Sequence, residues 1–99
     1  MFEWDEKKSA ANLLKHGISF EEARLIFEGP ILSRVDGRED YGEVRQISIG
    51  LIRNVVAVAV VHTDRNGAKR IISARLANRN ERRRYHEHIA KATEGTRGS

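Results

Sequence analysis

The side chains with chemistry to offer fall in four places: Glu43 and Arg45; His62-Thr63-Asp64-Arg65; Ser73-Ala74-Arg75; and Glu81-Arg82-Arg83-Arg84-Tyr85. Guanidinium groups grip phosphate bidentately, and an imidazole titrates near neutrality. Such a set could serve cleavage of RNA by its own 2′-hydroxyl. That reaction needs a base for the 2′ proton, cations for the charge gathering on the phosphorane and an acid for the leaving oxygen, and it requires no metal. On this reading His62 transfers protons and Arg45, Arg65 and Arg75 hold the phosphate. Tyr85 either stacks on a base or donates a proton.

Each residue also has a plainer role. A histidine between Val61 and Thr63 serves equally as a cross-strand residue, and Arg45 beside Glu43 as a charge guarding a strand edge. Arg82, Arg83 and Arg84 suit a solvated helix face paired with Glu81 or Glu87, and Lys15-His16 suits a helix C-terminus. His62, His86 and His88 do not form a metal set, since the latter two point to different sides of a helix.

The charge distribution favours a polyanion partner. From Arg65 onward there are ten Lys or Arg against three Asp or Glu, a net of +7, while residues 1–64 carry eight against eleven, a net of −3. A basic segment of this kind gains affinity for nucleic acid by releasing condensed counterions. A length of 99 residues with 39% hydrophobic content predicts a single cored domain, placed at residues 1–92 with a flexible tail at 93–99. The chain has no cysteine, which excludes disulfides and thiolate metal sites and fits a cytoplasmic setting. The longest apolar run, Val55 to Val61, is too short to span a bilayer, so no membrane contact is expected.

The elements that must position these groups can be read in order. Met1 to Trp4 predicts a short strand or arm, and Asp5 an N-cap for a helix from Glu6 to His16 stopped by Gly17. Ala10, Leu13 and Leu14 are its expected buried stripe. Ser19 with Glu22 is a capping box opening a second helix, which places Phe20, Ala23 and Phe27 on one face and ends at Gly29-Pro30. A short strand follows from Ile31 to Asp36, then a charged loop over Gly37 to Gly42. Strands are expected at Glu43–Ile52, half buried by alternation, at Val55–Val61, apolar throughout and therefore central, and near Lys69–Leu76. Asn78 with Glu81 caps a final helix from Arg79 to Ala92. The fold class is α+β: an antiparallel β-meander packed against an N-terminal helical hairpin and a C-terminal helix.

Turn chemistry fixes the expected register. Two-residue turns at Arg53-Asn54 and Asn66-Gly67 would set Arg45 opposite His62 and His62 opposite Ile71. Arg45, His62, Ser73 and Arg75 would then line one surface, Arg75 lying about 13 Å along at about 3.3 Å per residue. A slip of one residue in the second hairpin would turn Arg75 away.

Phe2-Glu3-Trp4-Asp5, Lys15 through Ala23, Gly42-Glu43-Val44-Arg45 with Ile49-Gly50, Thr63-Asp64-Arg65, Ile71 through Arg75, and Glu81-Arg82 with Tyr85 resemble, in order and spacing, the BrnT toxins of bacterial type II toxin and antitoxin pairs. The likeness runs from residue 2 to about 86. It implies a RelE-like ribonuclease that inhibits growth by cutting RNA. It further implies a BrnA-like antitoxin partner with a ribbon-helix-helix portion, through which the pair would reach operator DNA. Trp4, Lys15, His16, Glu43, Arg45, Arg65, Ser73, Arg75, Glu81 and Tyr85 match its motifs, while His62 stands where a tyrosine is common. Taken together, His62, Arg65, Arg75 and Tyr85 are the candidate catalytic residues, Arg45, Glu43, Lys15, Arg82 and Arg83 the candidate substrate ligands, and no cofactor is expected. The alternatives are a non-catalytic nucleic-acid-binding module, or a degenerate toxin acting as co-repressor with its antitoxin.

Overall fold

The computed structural model describes residues 1–37 and 43–97, with side chains as far as residue 92. The expected charged loop therefore lies, from Arg38 to Gly42, outside the described residues, as do Gly98 and Ser99. Strand β1 (Phe2–Glu3) leads to helix α1 (Glu6–His16), whose N-cap Asp5 accepts from the Lys7 and Lys8 amides. Gly17 ends it at φ 75°, a left-handed conformation that glycine adopts without a steric penalty. The Ser19–Glu22 box opens α2 (Phe20–Ala23), which tightens into a 3-10 turn over Arg24–Glu28. Then come β2 (Leu32–Asp36), β3 (Arg45–Ile52), β4 (Val56–Arg65), β5 (Ala68–Leu76) and α3 (Arg79–Arg97). α3 thus continues five residues past its expected end at Ala92.

The sheet order is β1-β5-β4-β3-β2, and β2 to β5 form the antiparallel meander. β1 departs from it by pairing parallel with β5, Phe2 beside Lys69 and Glu3 beside Arg70. β4 is central, and its alternation sorts the two layers. Val58 and Val60 face Phe20, Ile26 and Ile71 beneath the N-terminal helices, while Ala57 and Ala59 face Tyr85 and Ala77 beneath α3. Large side chains fill one side, and small ones let the helix sit close on the other. Burying each of the larger ones contributes on the order of 1.5–3 kcal/mol.

Two expectations about burial fail. β3 is covered on both faces rather than one, because the 3-10 turn lies directly on Gly50, where a Cβ would come within 2.8 Å of Ile26 Cβ. In α1 the buried residues are Ser9 and Asn12, whereas Leu14 is 90% exposed and Ala10 and Leu13 also face outward. The reason is the position of α1 at the edge of β5. β1 pairs with only two residues of β5, so the Ala74 backbone needs a partner, and Asn12 supplies one. Its Nδ2 donates to Ala74 O at 2.9 Å and Ile18 O at 2.8 Å, and its Oδ1 accepts from the Ala74 amide at 3.2 Å. Polar complementarity, not apolar periodicity, seats this helix.

Candidate nucleic-acid interface

Register decides which side chains meet. The first hairpin closes through three residues, Arg53, Asn54 and Val55, since Ile52 pairs with Val56 and Val55 N–H returns to Ile52 O. Arg45 therefore lies opposite Thr63, and His62 opposite Gln46. The second hairpin does close through Asn66-Gly67 and sets His62 opposite Ile71 as expected, but an extra residue in β5 then shifts the ladder so that Ser73 pairs with Val61 and Arg75 with Ala59. Such a bulge reverses the side on which later residues point. Both offsets act in the same direction. Arg45, Ser73 and Arg75 stay together on the α3 side, and His62 alone is left on the other.

On the α3 side the groups form cross-strand rows about 6.6 Å apart, two residues at about 3.3 Å each. One row holds Leu32, Ile49, Ala59 and Arg75, the next Arg34, Ile47, Val61 and Ser73, and a third Asp36, Arg45, Thr63 and Arg70. Each cation is held by a carboxylate. Glu43 stands between Arg65 (3.1 Å) and Arg45 (3.7 Å). Glu81 accepts a two-pronged bond from Arg75 at 2.7 and 3.0 Å, and Arg34 lies 3.9 Å from it. Arg70 is paired with Glu3 at 2.8 Å.

Glu81 also closes the α3 cap. Its amide donates to Asn78 Oδ1 and its carboxylate accepts from the Asn78 amide, the reciprocal box that the sequence predicts. The Arg75 hydrogen bond, opposed by burial, lowers the Glu81 pKa, so this carboxylate stays ionised and fixed.

The remaining candidates are not part of this surface or are engaged elsewhere. Tyr85 is 3% exposed and donates to Pro30 O at 2.9 Å, so it straps α3 to the turn before β2, and burial raises its pKa. The expected stacking role does not fit this placement. Arg82 ties the start of α3 to Ala77 O at 2.8 Å, while Arg83 is exposed and bonded to Asn80. Lys15 is exposed in the last turn of α1, beside β5.

His62 is 2% exposed, with Nε2 2.6 Å from Ser48 Oγ, which in turn lies 2.6 Å from Ser33 Oγ. Phe27 meets its ring edge-on at 5.1 Å, and Nδ1 is buried with no hydrogen-bond partner among the described residues. The expectation that it shares a surface with Arg45 and Arg75 is corrected by the register. Burial first, and Lys69 second, lower its pKa to about 4, against the opposing pull of Asp64. The unfolded chain takes up this proton near pH 6.5 and the folded protein only near 4, so stability falls as pH drops through that window and is indifferent to this group above it. The loss reaches up to about 3 kcal/mol by pH 4. Urea melts between pH 7.5 and 4 test this, with His62→Gln expected to show the flatter profile. Parallel profiles for the two proteins would remove His62 as the cause.

Two contributors to the α3 side escape sequence reasoning, Arg34 and Asn80, while Arg84, read from the sequence within a basic helix face, is not singled out there as a ligand. Arg34 alternates with Leu32 in β2, a period-two signal that could have placed it on that face. Asn80 carries no comparable sign.

The family model that describes the ribonuclease toxin BrnT of type II toxin-antitoxin systems matches residues 4–81. This chain belongs to the BrnT family. Among solved structures, the Brucella abortus ribonuclease toxin BrnT, determined at 1.1 Å, is similar with a TM-score of 0.59 and 25% identity, over 80% of this chain and 99% of that one. A comparison with curated proteins gives no match. The BrnT match takes in α1 through the α3 cap, and with it Lys15, Glu43, Arg45, His62, Arg65 and Arg75. Arg82, Arg83 and Tyr85 lie beyond it. Among the described residues, no helix is long and apolar enough to cross a membrane.

Proposed function

We propose that this member of the BrnT family is an endoribonuclease that cuts single-stranded RNA laid along the α3-side face of the sheet. The observation that carries the reading is the placement of Arg34, Arg45 and Arg75 in successive rows of one face, with Arg65 joined to Arg45 through Glu43, each within reach of an anchoring carboxylate. Fixed guanidinium groups stabilise a phosphorane without reorganising during the reaction, which is the largest contribution an RNA-cleaving site needs from its protein. No metal is called for by that chemistry. Proton transfer falls to a carboxylate, because His62 is sealed beneath the opposite face. Glu81 is committed to Arg75 and to the helix cap and Asp36 is buried at the end of β2, so the base for the 2′-hydroxyl is the more exposed Glu43, between Arg45 and Arg65.

The toxin would act in the cytoplasm and be silenced by a BrnA-like ribbon-helix-helix antitoxin, the pair together binding operator DNA. The withdrawal of both His62 and Tyr85 favours a second reading, RNA binding without cleavage. Incubating purified protein with RNA in EDTA separates them. Products ending in 2′,3′-cyclic phosphate are expected; intact RNA retained in a salt-sensitive complex would establish the second, and cleavage lost only on chelation would refute the metal-free route.

Arg65→Ala isolates the chemistry from the fold. Arg65 is about half exposed and its pair with Glu43 is a surface contact, so stability should change by less than about 0.5 kcal/mol. Cleavage should drop at least about tenfold, about 1.4 kcal/mol of transition-state stabilisation. Undiminished kcat/KM in a folded variant would move the reaction to another part of the face.

A further inference from the structure

Between β2 and the first turns of α3 lies a cleft of about 390 Å3, a volume suited to one small ligand. Its floor is apolar, made by Leu32 and Ile49. Above the floor stand Arg34 and Arg84, and with them the amides of Asn78 and Asn80. The amide oxygens are already used: Asn78 Oδ1 accepts from the Glu81 amide at 2.8 Å and Asn80 Oδ1 from Arg83 at 2.7 Å. What these two side chains still offer the cleft is their N–H donors. Among the described residues, Arg34 has only the distant contact to Glu81 at 3.9 Å and Arg84 makes no ion pair. The cleft is thus rich in donors and cations over an apolar floor, and it asks for a ligand with a flat apolar face, a rim of acceptors and a negative charge.

A nucleotide has all three. The cleft also adjoins the arginine face, because Glu81 lines the cleft while binding Arg75 on the sheet. Resting on the ribonuclease reading above, we infer that this cleft seats one nucleotide of the RNA beside the scissile phosphate and reads its base. Arg34 and Arg84 take the phosphate, and the Asn78 and Asn80 amides meet acceptors on the base edge. Base preference at that one position is the consequence, since a base whose edge lacks a matching acceptor leaves an amide donor unpaired.

The test uses the full chain labelled with 15N, titrated separately with the four nucleoside 5′-monophosphates and with inorganic phosphate. In parallel, cut sites are mapped on a mixed-sequence RNA. The nucleotides should shift the backbone signals of residues 32–34 and 78–84, with affinities that differ among bases in the same order as the cut-site preference. The double variant Arg34→Ala, Arg84→Ala should bind them at least tenfold more weakly, and Asn80→Ala should cut with a flattened preference. Equal shifts with inorganic phosphate alone would reduce the cleft to an anion site and overturn base reading. So would RNA cleavage by a protein whose cleft ignores every nucleotide, or an unchanged preference in Asn80→Ala. Nucleotides bound in the cleft of a protein that cuts no RNA would instead overturn the ribonuclease reading, and with it the assignment of the cleft to RNA.

Discussion

Arg75→Ala should lower cleavage at least about tenfold and stability by about 2 kcal/mol, and the two losses should separate in a second variant. Arg75 donates two hydrogen bonds to Glu81, a carboxylate only 7% exposed. Removing the guanidinium strands that charge in a setting too poor in water to solvate it, although the 41% exposure of the Arg75 side chain moderates the cost. Adding Glu81→Gln removes the stranded charge, and glutamine keeps the reciprocal cap with Asn78 that opens α3. The double variant should therefore recover most of the stability in urea melts yet remain as poor a nuclease as the single one. Recovery of cleavage together with stability would mean that Arg75 serves the fold alone and never meets the phosphate.

The second large effect lies far from that face. Asn12→Ala should destabilise the protein by about 3–4 kcal/mol, because it leaves the carbonyls of Ile18 and Ala74 and the amide of Ala74 without partners in a buried setting. For a domain of this size the midpoint of thermal unfolding should fall by more than about 12 °C. Leu14→Ala, in the same helix but 90% exposed, should move it by no more than a few degrees. The comparison inverts what hydrophobicity alone would rank, and calorimetry of the two variants decides it. A larger loss at Leu14 than at Asn12 would reinstate the apolar stripe.

The pair also shows where the sequence was legible. Caps and stops read well because their determinants are local: Asp5, Gly17, the Ser19–Glu22 box and the Asn78–Glu81 box each act within three or four residues. The central place of β4 was plain from its unbroken apolar run. α1 was misread because its inner face answers an unpaired strand edge sixty-two residues away, a need that no window around Asn12 contains. The arginine surface was half legible. That Arg45, Ser73 and Arg75 share a side was anticipated, and that His62 is excluded was not, because one extra turn residue at Val55 and one extra residue in β5 are invisible to alternation counted from the turns. The β2 contribution of Arg34 and the β1–β5 parallel pairing depend on which strands become neighbours, which period and turn signals leave open.

The extra residue in β5 makes the strand a phase inverter: before it, one parity of positions looks toward the N-terminal layer, and after it the other parity does. Closing that bulge while keeping every residue would set Arg75 opposite Val58 and so exchange the strand's two sides, driving the Arg75 guanidinium into an oily interior and turning Ala74 outward, whereas deleting the extra residue itself would leave Arg75 opposite Ala59. A related chain that lacks the insertion must therefore carry its cation one position earlier or later to keep the same working side. Counting residues from the Asn66-Gly67 turn to the helix-capping glutamate gives a ruler for recognising which of the two arrangements a given homologue has adopted.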